Sequence, residues 1–274
     1  MALRVWVSYL GFLMSKRRPP TTPFPVPLER KELARRIALA REPDESEIPK
    51  PRLRHMLAET LYLLEPVRRP LRQLRNPLVI PVADRPRTVM VLPGFATHPV
   101  RMRHFATSLE KAGHTVKRWG LGFNWGPTEE NFELLRGRLA DLHQRSGQQV
   151  HLVGWSLGGL FARELAKDRP EAVAKVISMG SPFSYSPRAN NAWRIYQFIA
   201  GHSVHEPPIG QDVATKPPVP TVALWSPNDG IVHPRAACGK PDERDRAIAL
   251  RCGHLGFAYS DEAILTVARE LDCD

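Results

Sequence analysis

Two rhythms of apolar and polar positions run along this chain, and they meet near residue 87. From there on, short apolar runs at 87–92, 114–119, 150–153, 173–179, 219–225 and 247–252 read as strands. Between them lie stretches of helical period. Residues 100–112 close at Gly113, residues 129–144 carry Phe132, Leu135, Leu139 and Leu142, and residues 157–166 carry Leu157, Leu160, Phe161 and Leu165. Strands alternating with helices predict an α/β fold, a mainly parallel central sheet with helices on both faces. Ligands of such a sheet bind beyond the carboxyl ends of its strands.

The first part of the chain follows the helical rhythm alone. Residues 28–41 and 52–64 each read as an amphipathic helix, separated by Pro43, Pro49 and Pro51, and residues 19–27 read as a proline-rich linker. The two helices are expected to pack against the sheet-bearing part. The alternation also breaks between 183 and 218, where Tyr185, Trp193, Tyr196, Phe198 and Ile199 cluster around an expected short helix at 191–200. The division is therefore a basic, partly helical extension at 1–76 and a core domain at 77–274 with an insertion at 183–218. Such an insertion reads either as a lid whose apolar face excludes water or as a crossover that only packs.

Charge sharpens this division. The net charge is +11, yet 16 of the 39 Lys and Arg and only 8 of the 28 Asp and Glu lie in residues 1–76, a net of +8 against +3 for the rest. The excess belongs to the extension, so nucleic-acid binding by the core is not expected. A basic extension suits an anionic membrane surface or an acidic partner, or is a solvated arm with none. Residues 2–14 are mostly apolar and precede Lys16, Arg17 and Arg18. They are too short to span a bilayer and show no secretory cleavage pattern, which predicts a cytoplasmic protein with at most peripheral membrane contact.

The chemistry centres on Gly154-Trp155-Ser156-Leu157-Gly158, where an expected strand turns into an expected helix over one residue. That turn strains the backbone of Ser156 and requires very small neighbours two positions to either side. It also lifts the hydroxyl clear and aims the first helical amides at whatever the hydroxyl attacks. A serine needs a base, and the base needs a group that holds its tautomer. Behind this elbow the acid precedes the histidine. Asp229 stands on a turn after strand 219–225, and His254, between Gly253 and Gly256, follows strand 247–252. Asp242 and Asp245 are rival acids in a charged loop between those strands. After strand 87–92, Pro93-Gly94-Phe95 reads as the loop that supplies an anion-binding amide, so the oxyanion donors are assigned to the Phe95 and Leu157 N–H groups.

These residues, with Gly120-Leu121-Gly122-Phe123-Asn124-Trp125-Gly126-Pro127, Gly180-Ser181-Pro182-Phe183 and Asn228-Asp229-Gly230-Ile231-Val232, resemble the α/β-hydrolase superfamily, in particular bacterial lipase-like serine hydrolases, over roughly residues 87–274. The resemblance implies a carboxylic ester hydrolase working through an acyl-enzyme, with Ser156, Asp229 and His254 as the triad. Substrate contacts are expected from Phe95, Trp155, Phe183, Trp193 and Tyr196, and the substrate is a small-molecule or lipid ester. An acyltransferase or thioesterase would use the same residues, and a noncatalytic binding module would need none of them. No cofactor or metal is expected: glycine fingerprints for phosphates are absent, and Cys238, Cys252 and Cys273 have no zinc spacing. Pairing of Cys238 with Cys252 is not expected either.

Overall fold

The structure, a computed structural model, describes residues 29–44, 46–75, 77–210 and 212–273. The apolar stretch 2–14, the basic run 16–18 and the linker 19–27 lie outside the described residues. Six strands form one sheet: β1 (Thr88–Leu92), β2 (Thr115–Arg118), β3 (Val150–Trp155), β4 (Val173–Met179), β5 (Thr221–Trp225) and β6 (Arg246–Ala249). Their order is β2-β1-β3-β4-β5-β6, and every neighbouring pair is parallel. The helices are α1 (Arg30–Ala40), α2 (Leu53–Glu59), α3 (Glu65–Arg75), α4 (Arg103–Lys111), α5 (Glu129–Ser146), α6 (Leu157–Asp168), α7 (Trp193–Ala200), α8 (Pro234–Cys238) and α9 (Asp261–Asp272).

The pleat sorts each strand's side chains onto two faces. Val89 and Val91 of β1 face one core, built with Phe105 and Leu109 of α4 and Ile264, Val267 and Leu271 of α9. Met90 and Leu92 face the other, built with Leu135 and Leu139 of α5 and Phe161 and Leu165 of α6. Both faces of the central strands β1, β3, β4 and β5 are thus dry, which is why these four read as largely apolar runs, whereas the edge strands β2 and β6 are partly exposed. Each fully buried leucine contributes about 1.5–3 kcal/mol, so the two cores hold the frame. Local chemistry sets the helix ends: the Thr128 hydroxyl accepts from Asn131 N–H at 3.1 Å at the start of α5, and Gly147, at φ 65°, closes it in the left-handed conformation that glycine tolerates.

Several elements differ from expectation, among them α8, which lies where none is expected, and β6, which ends at Ala249 rather than at 252. The expected helix 100–112 begins as a 3₁₀ turn at Pro99–Met102 before α4. Helix α3 was not foreseen because Pro66 and Pro70 argue against one; Pro66 falls in the first turn, where its missing N–H is not needed. Helix α9, which completes one core, was also not foreseen; the Ser260 hydroxyl caps it by accepting from Ala263 N–H at 3.2 Å.

The extension packs onto the sheet-bearing part as expected. Helix α1 lies against α7: the Arg36 guanidinium donates to the Phe198 and Ile199 carbonyls, that of Arg35 to Gly201, and the Gln197 amide to Leu39. Cations at the C-terminus of α7 meet the negative end of its dipole. Helix α2 and the 3₁₀ turn Thr60–Leu64 that continues it lie against the loops after β5 and β6.

Candidate active site

The order β2-β1-β3 reverses the direction of strand succession between β1 and β3, and the crevice at such a switch point is where open α/β sheets bind ligands. Ser156 stands there, directly after β3. Its φ of 54° is one of three positive values among described non-glycine residues. A β-carbon at Gly154 would lie 2.3 Å from the Gly158 carbonyl oxygen, and one at Gly158 would lie 2.3 Å from that of Leu92. The small neighbours required by the turn are therefore forced by backbone contact. Gly159 is equally constrained, since a β-carbon there would fall 1.9 Å from the Ser181 hydroxyl.

Ser156 N–H donates to the Met179 carbonyl at 2.8 Å, which ties the turn to the end of β4. Phe95 and Leu157 both line the cavity beside Ser156. Among the described residues no protein acceptor takes either N–H. The loop before Phe95 is braced from below. Asn124 is fully buried, its side-chain amide donates to the Pro93 carbonyl at 2.8 Å, and its carbonyl accepts from Ala96 N–H at 2.7 Å. The Thr97 hydroxyl donates to Gly94 O at 2.7 Å, and Ala96 is held at φ 53°. Sequence spacing gives no sign of this bracing by Asn124, whose partners lie about thirty residues upstream.

Asp229 and His254 meet. Asp229 is 1% and His254 3% exposed, and the imidazole Nδ1 lies 2.8 Å from the Asp229 Oδ2. The other carboxylate oxygen accepts from the Ile231 and Val232 amides at 2.8 Å each, so Asp229 is held on both sides. Ser226 and Asn228, between β5 and Asp229, bond the Cys252 and Arg251 carbonyls and join the acid turn to the histidine loop. Burial opposes a charge on His254, but the Asp229 charge, its hydrogen bond and the Glu59 charge outweigh it and raise the imidazole pKa above the usual 6.5. Among the described residues the Ser156 hydroxyl makes no hydrogen bond to His254; such contacts commonly tighten only with substrate bound.

The rival acids are elsewhere. Asp245 pairs with Lys216 at 2.6 Å and accepts from Thr221 N–H at 2.7 Å, at the amino end of β5. Asp242 is exposed in the 3₁₀ turn Pro241–Glu243.

A cavity of about 320 Å³ opens beside Ser156, within the range of small-molecule sites. Phe95, Phe183, Trp193 and Tyr196 line it, with Leu160, Phe161 and Ile209. Trp155 does not. It is buried under the histidine loop, where its indole N–H donates to the His254 carbonyl at 3.1 Å and its ring lies 5.9 Å from the imidazole. Side chains alternate along a strand, so Trp155 faces the core shared with α4 and α9. The insertion supplies much of the cavity wall and is tied down at both ends. The Arg188 guanidinium donates to the Pro43 carbonyl and pairs with Glu42. Arg163 of α6 is buried over the Phe183 ring at 4.1 Å and donates to the carbonyls of Val213, Ala214, Thr215 and Glu243. Burial pulls its pKa down to about 10, still charged near neutrality. Of the histidines in the insertion, His205 touches the cavity, whereas His202 is bonded to Ser203 O at 3.0 Å.

The described residues contain no group of three or more potential metal ligands, and Cys238, Cys252 and Cys273 are free thiols. No described helix is long and apolar enough to cross a membrane.

Residues 87–198 match the α/β-hydrolase fold family. No curated protein matches the chain. Solved structures do. Bacillus licheniformis lipase BlEst2, in its propeptide form, is 17% identical with a TM-score of 0.55, over 71% of this chain and 52% of its own. Aspergillus fumigatus lipase B is 18% identical with a TM-score of 0.52, over 70% and 53%. The pyrethroid hydrolase PytH is 13% identical with a TM-score of 0.50, over 69% and 98%. This chain thus spans about half the length of the two lipases. At these identities the likeness is one of fold.

Proposed function

We propose that this chain, which has an α/β-hydrolase superfamily fold resembling bacterial lipase and esterase enzymes, is a serine hydrolase of carboxylic esters with Ser156, His254 and Asp229 as its triad. One observation carries the reading: a buried aspartate–histidine pair packs against Trp155, the residue before a strained serine that lines an apolar cavity. In this reading His254 Nε2 takes the Ser156 proton as Oγ attacks the ester carbonyl. Asp229 stabilises the imidazolium, and the Phe95 and Leu157 amides hold the oxyanion. His254 then protonates the leaving alcohol, and water, activated by the same imidazole, releases the acid. The acyl portion occupies the cavity between α6 and the insertion, where Leu160, Phe161 and Ile209 favour an apolar chain. The lipases among the structural relatives point the same way.

A series of p-nitrophenyl esters of increasing acyl length, run against pH, tests this. Turnover is expected, and kcat/KM should fall as pH drops. The sign follows from the base: the imidazole must be neutral to take a proton, and its pKa lies above the ordinary value. The acid limb should therefore have its midpoint above about 6.5. Absence of turnover across the series, together with transfer of the same acyl groups to an added alcohol or thiol, would make the chain an acyltransferase instead.

The basic extension supports a second, separate proposal, peripheral contact with an anionic lipid surface. Leu53, Leu57, Leu61 and Leu64 recur at helical spacing along α2 and its 3₁₀ continuation and are exposed, flanked by exposed Arg52, Arg54 and Arg68. Each basic residue near such a surface is worth about 1 kcal/mol. Leu57→Ser with Leu61→Ser should weaken sedimentation with vesicles containing phosphatidylserine while sparing turnover of a soluble ester. Unchanged sedimentation across a salt series would assign these leucines another role.

A further inference from the structure

Helix α2 brings one carboxylate to the back of the site. Glu59 is 5% exposed, and its acceptor capacity is spent on main-chain amides: Oε1 accepts from Gly230 N–H at 3.0 Å and from His254 N–H at 2.5 Å, and Oε2 accepts from Leu255 N–H at 2.9 Å. Gly230 adjoins Asp229. One side chain from outside the sheet therefore bridges the acid turn and the histidine loop, which lie about 25 residues apart in the chain. One turn further on, the Tyr62 hydroxyl accepts from Gly253 N–H at 3.0 Å.

The loops are shaped to receive this contact. A β-carbon at Gly230 would lie 2.4 Å from the His55 carbonyl carbon, one at Gly253 would lie 2.7 Å from Glu59 Oε1, and one at Gly256 would lie 2.6 Å from the Tyr62 hydroxyl. Three glycines beside the pair thus make room for the extension. A buried carboxylate is costly to desolvate unless its oxygens are hydrogen-bonded, and bonds to an ionised acceptor are stronger than neutral ones. The seating of α2 and the geometry of the two loops consequently depend on each other.

We propose that Glu59 is a positioning residue of the site, which through the main chain fixes the separation of Asp229 and His254 and adds a second negative charge beside the imidazole. The inference rests on the ester-hydrolase reading for its kinetic consequence, though not for its geometry. The titratable groups bearing on His254 are Asp229 from the end of β5 and Glu59 from α2; Trp155 and Phe257 supply uncharged walls. Tyr62 faces Glu59, Cys252 and Glu65. Glu59→Gln removes the charge and turns one acceptor into a donor that confronts an N–H, whereas Glu59→Asp keeps the charge on a shorter arm.

The test uses the full chain, with p-nitrophenyl butyrate turnover and the NMR titration of the His254 imidazole, identified by its loss in His254→Ala. In Glu59→Gln, kcat should fall about 10- to 100-fold, the scale of a misplaced catalytic group, with KM within about twofold, and His254 should titrate at lower pH. In Glu59→Asp, the rate should fall while the titration stays near wild type. A rate loss in Glu59→Gln with an unmoved titration, or no change in either, would overturn the positioning role. Should Glu59→Gln fail to fold, Tyr62→Phe decides: kcat should fall at least about threefold with the fold intact, and an unchanged kcat counts against the brace. If the wild type turns over no ester, the hydrolase reading fails by itself, and the His254 titration still tests the charge that Glu59 contributes.

Discussion

Replacement of Ser156 by alanine should abolish labelling by a fluorophosphonate probe and lower ester turnover by up to roughly 10⁶-fold, the loss seen when a triad nucleophile is removed. The size follows from the site's construction. The elbow holds the hydroxyl at the edge of the cavity on a residue with φ 54°, and alanine there keeps the same backbone bonds, Ser156 N–H to Met179 O and Gly159 N–H to Ser156 O. The fold should be unchanged, since only an oxygen is lost and no buried partner is left unpaired. On the proposed mechanism, what remains is a cavity for the substrate and two amides to polarise its carbonyl, with no atom to form the acyl-enzyme. Intact-mass analysis after probe treatment and circular dichroism of the variant check both halves. Labelling of Ser156→Ala at the wild-type rate would place the reactive group elsewhere.

The sheet was legible because its four central strands, β1, β3, β4 and β5, are buried on both faces and therefore announce themselves as apolar runs between helices of 3.6 period. Strand β4 falls at 173–179 as expected, and α6 extends two residues past its expected end. Not every unexpected element lacks that signal. Helix α3 carries two prolines and a strongly basic sequence, so neither propensity nor pattern marks it. Helix α9, by contrast, is amphipathic and capped by Ser260, a pattern that the sequence does carry.

The site was legible where its logic is local and illegible where it is long-range. Gly154, Ser156 and Gly158 lie within five residues, and the steric demand that links them is a property of one turn. Asp229 and His254 were placed by strand ends and chain order. The side of β3 on which Trp155 falls depends on register against its neighbours; taken as a substrate contact, it is a support of the His254 loop. Asn124 and Glu59 act on main-chain atoms of segments far away in sequence, and a side chain that bonds a distant backbone leaves no spacing to detect. By their sequence alone the glycines flanking His254 offer the loop freedom to fold back. In the structure they are space for the extension, a distinction that sequence spacing does not carry.

Asp229→Asn should keep the fold and lower kcat by up to about 10⁴-fold, as an acid-to-amide change does in a serine protease triad. Asp229 Oδ1 can remain an amide oxygen that accepts from Ile231 and Val232 N–H, so the turn should survive. The amide nitrogen then falls opposite His254 Nδ1, where it donates rather than accepts. The imidazole should respond by placing its proton on Nε2, the atom that, on the proposed mechanism, must be bare to take the Ser156 proton. Loss of the carboxylate charge acts in the same direction, because that charge is the main influence raising the imidazole pKa against its burial. Asp242→Asn and Asp245→Asn are the controls, the first exposed in a turn and the second paired with Lys216 at the opposite end of the sheet. Both should turn over ester within about twofold of wild type, surface changes of this kind being worth about 0.5 kcal/mol or less. Near-full turnover in Asp229→Asn, with collapse in either control, would require the histidine's partner to come from the loop before β6, against the 2.8 Å contact that joins Asp229 to His254.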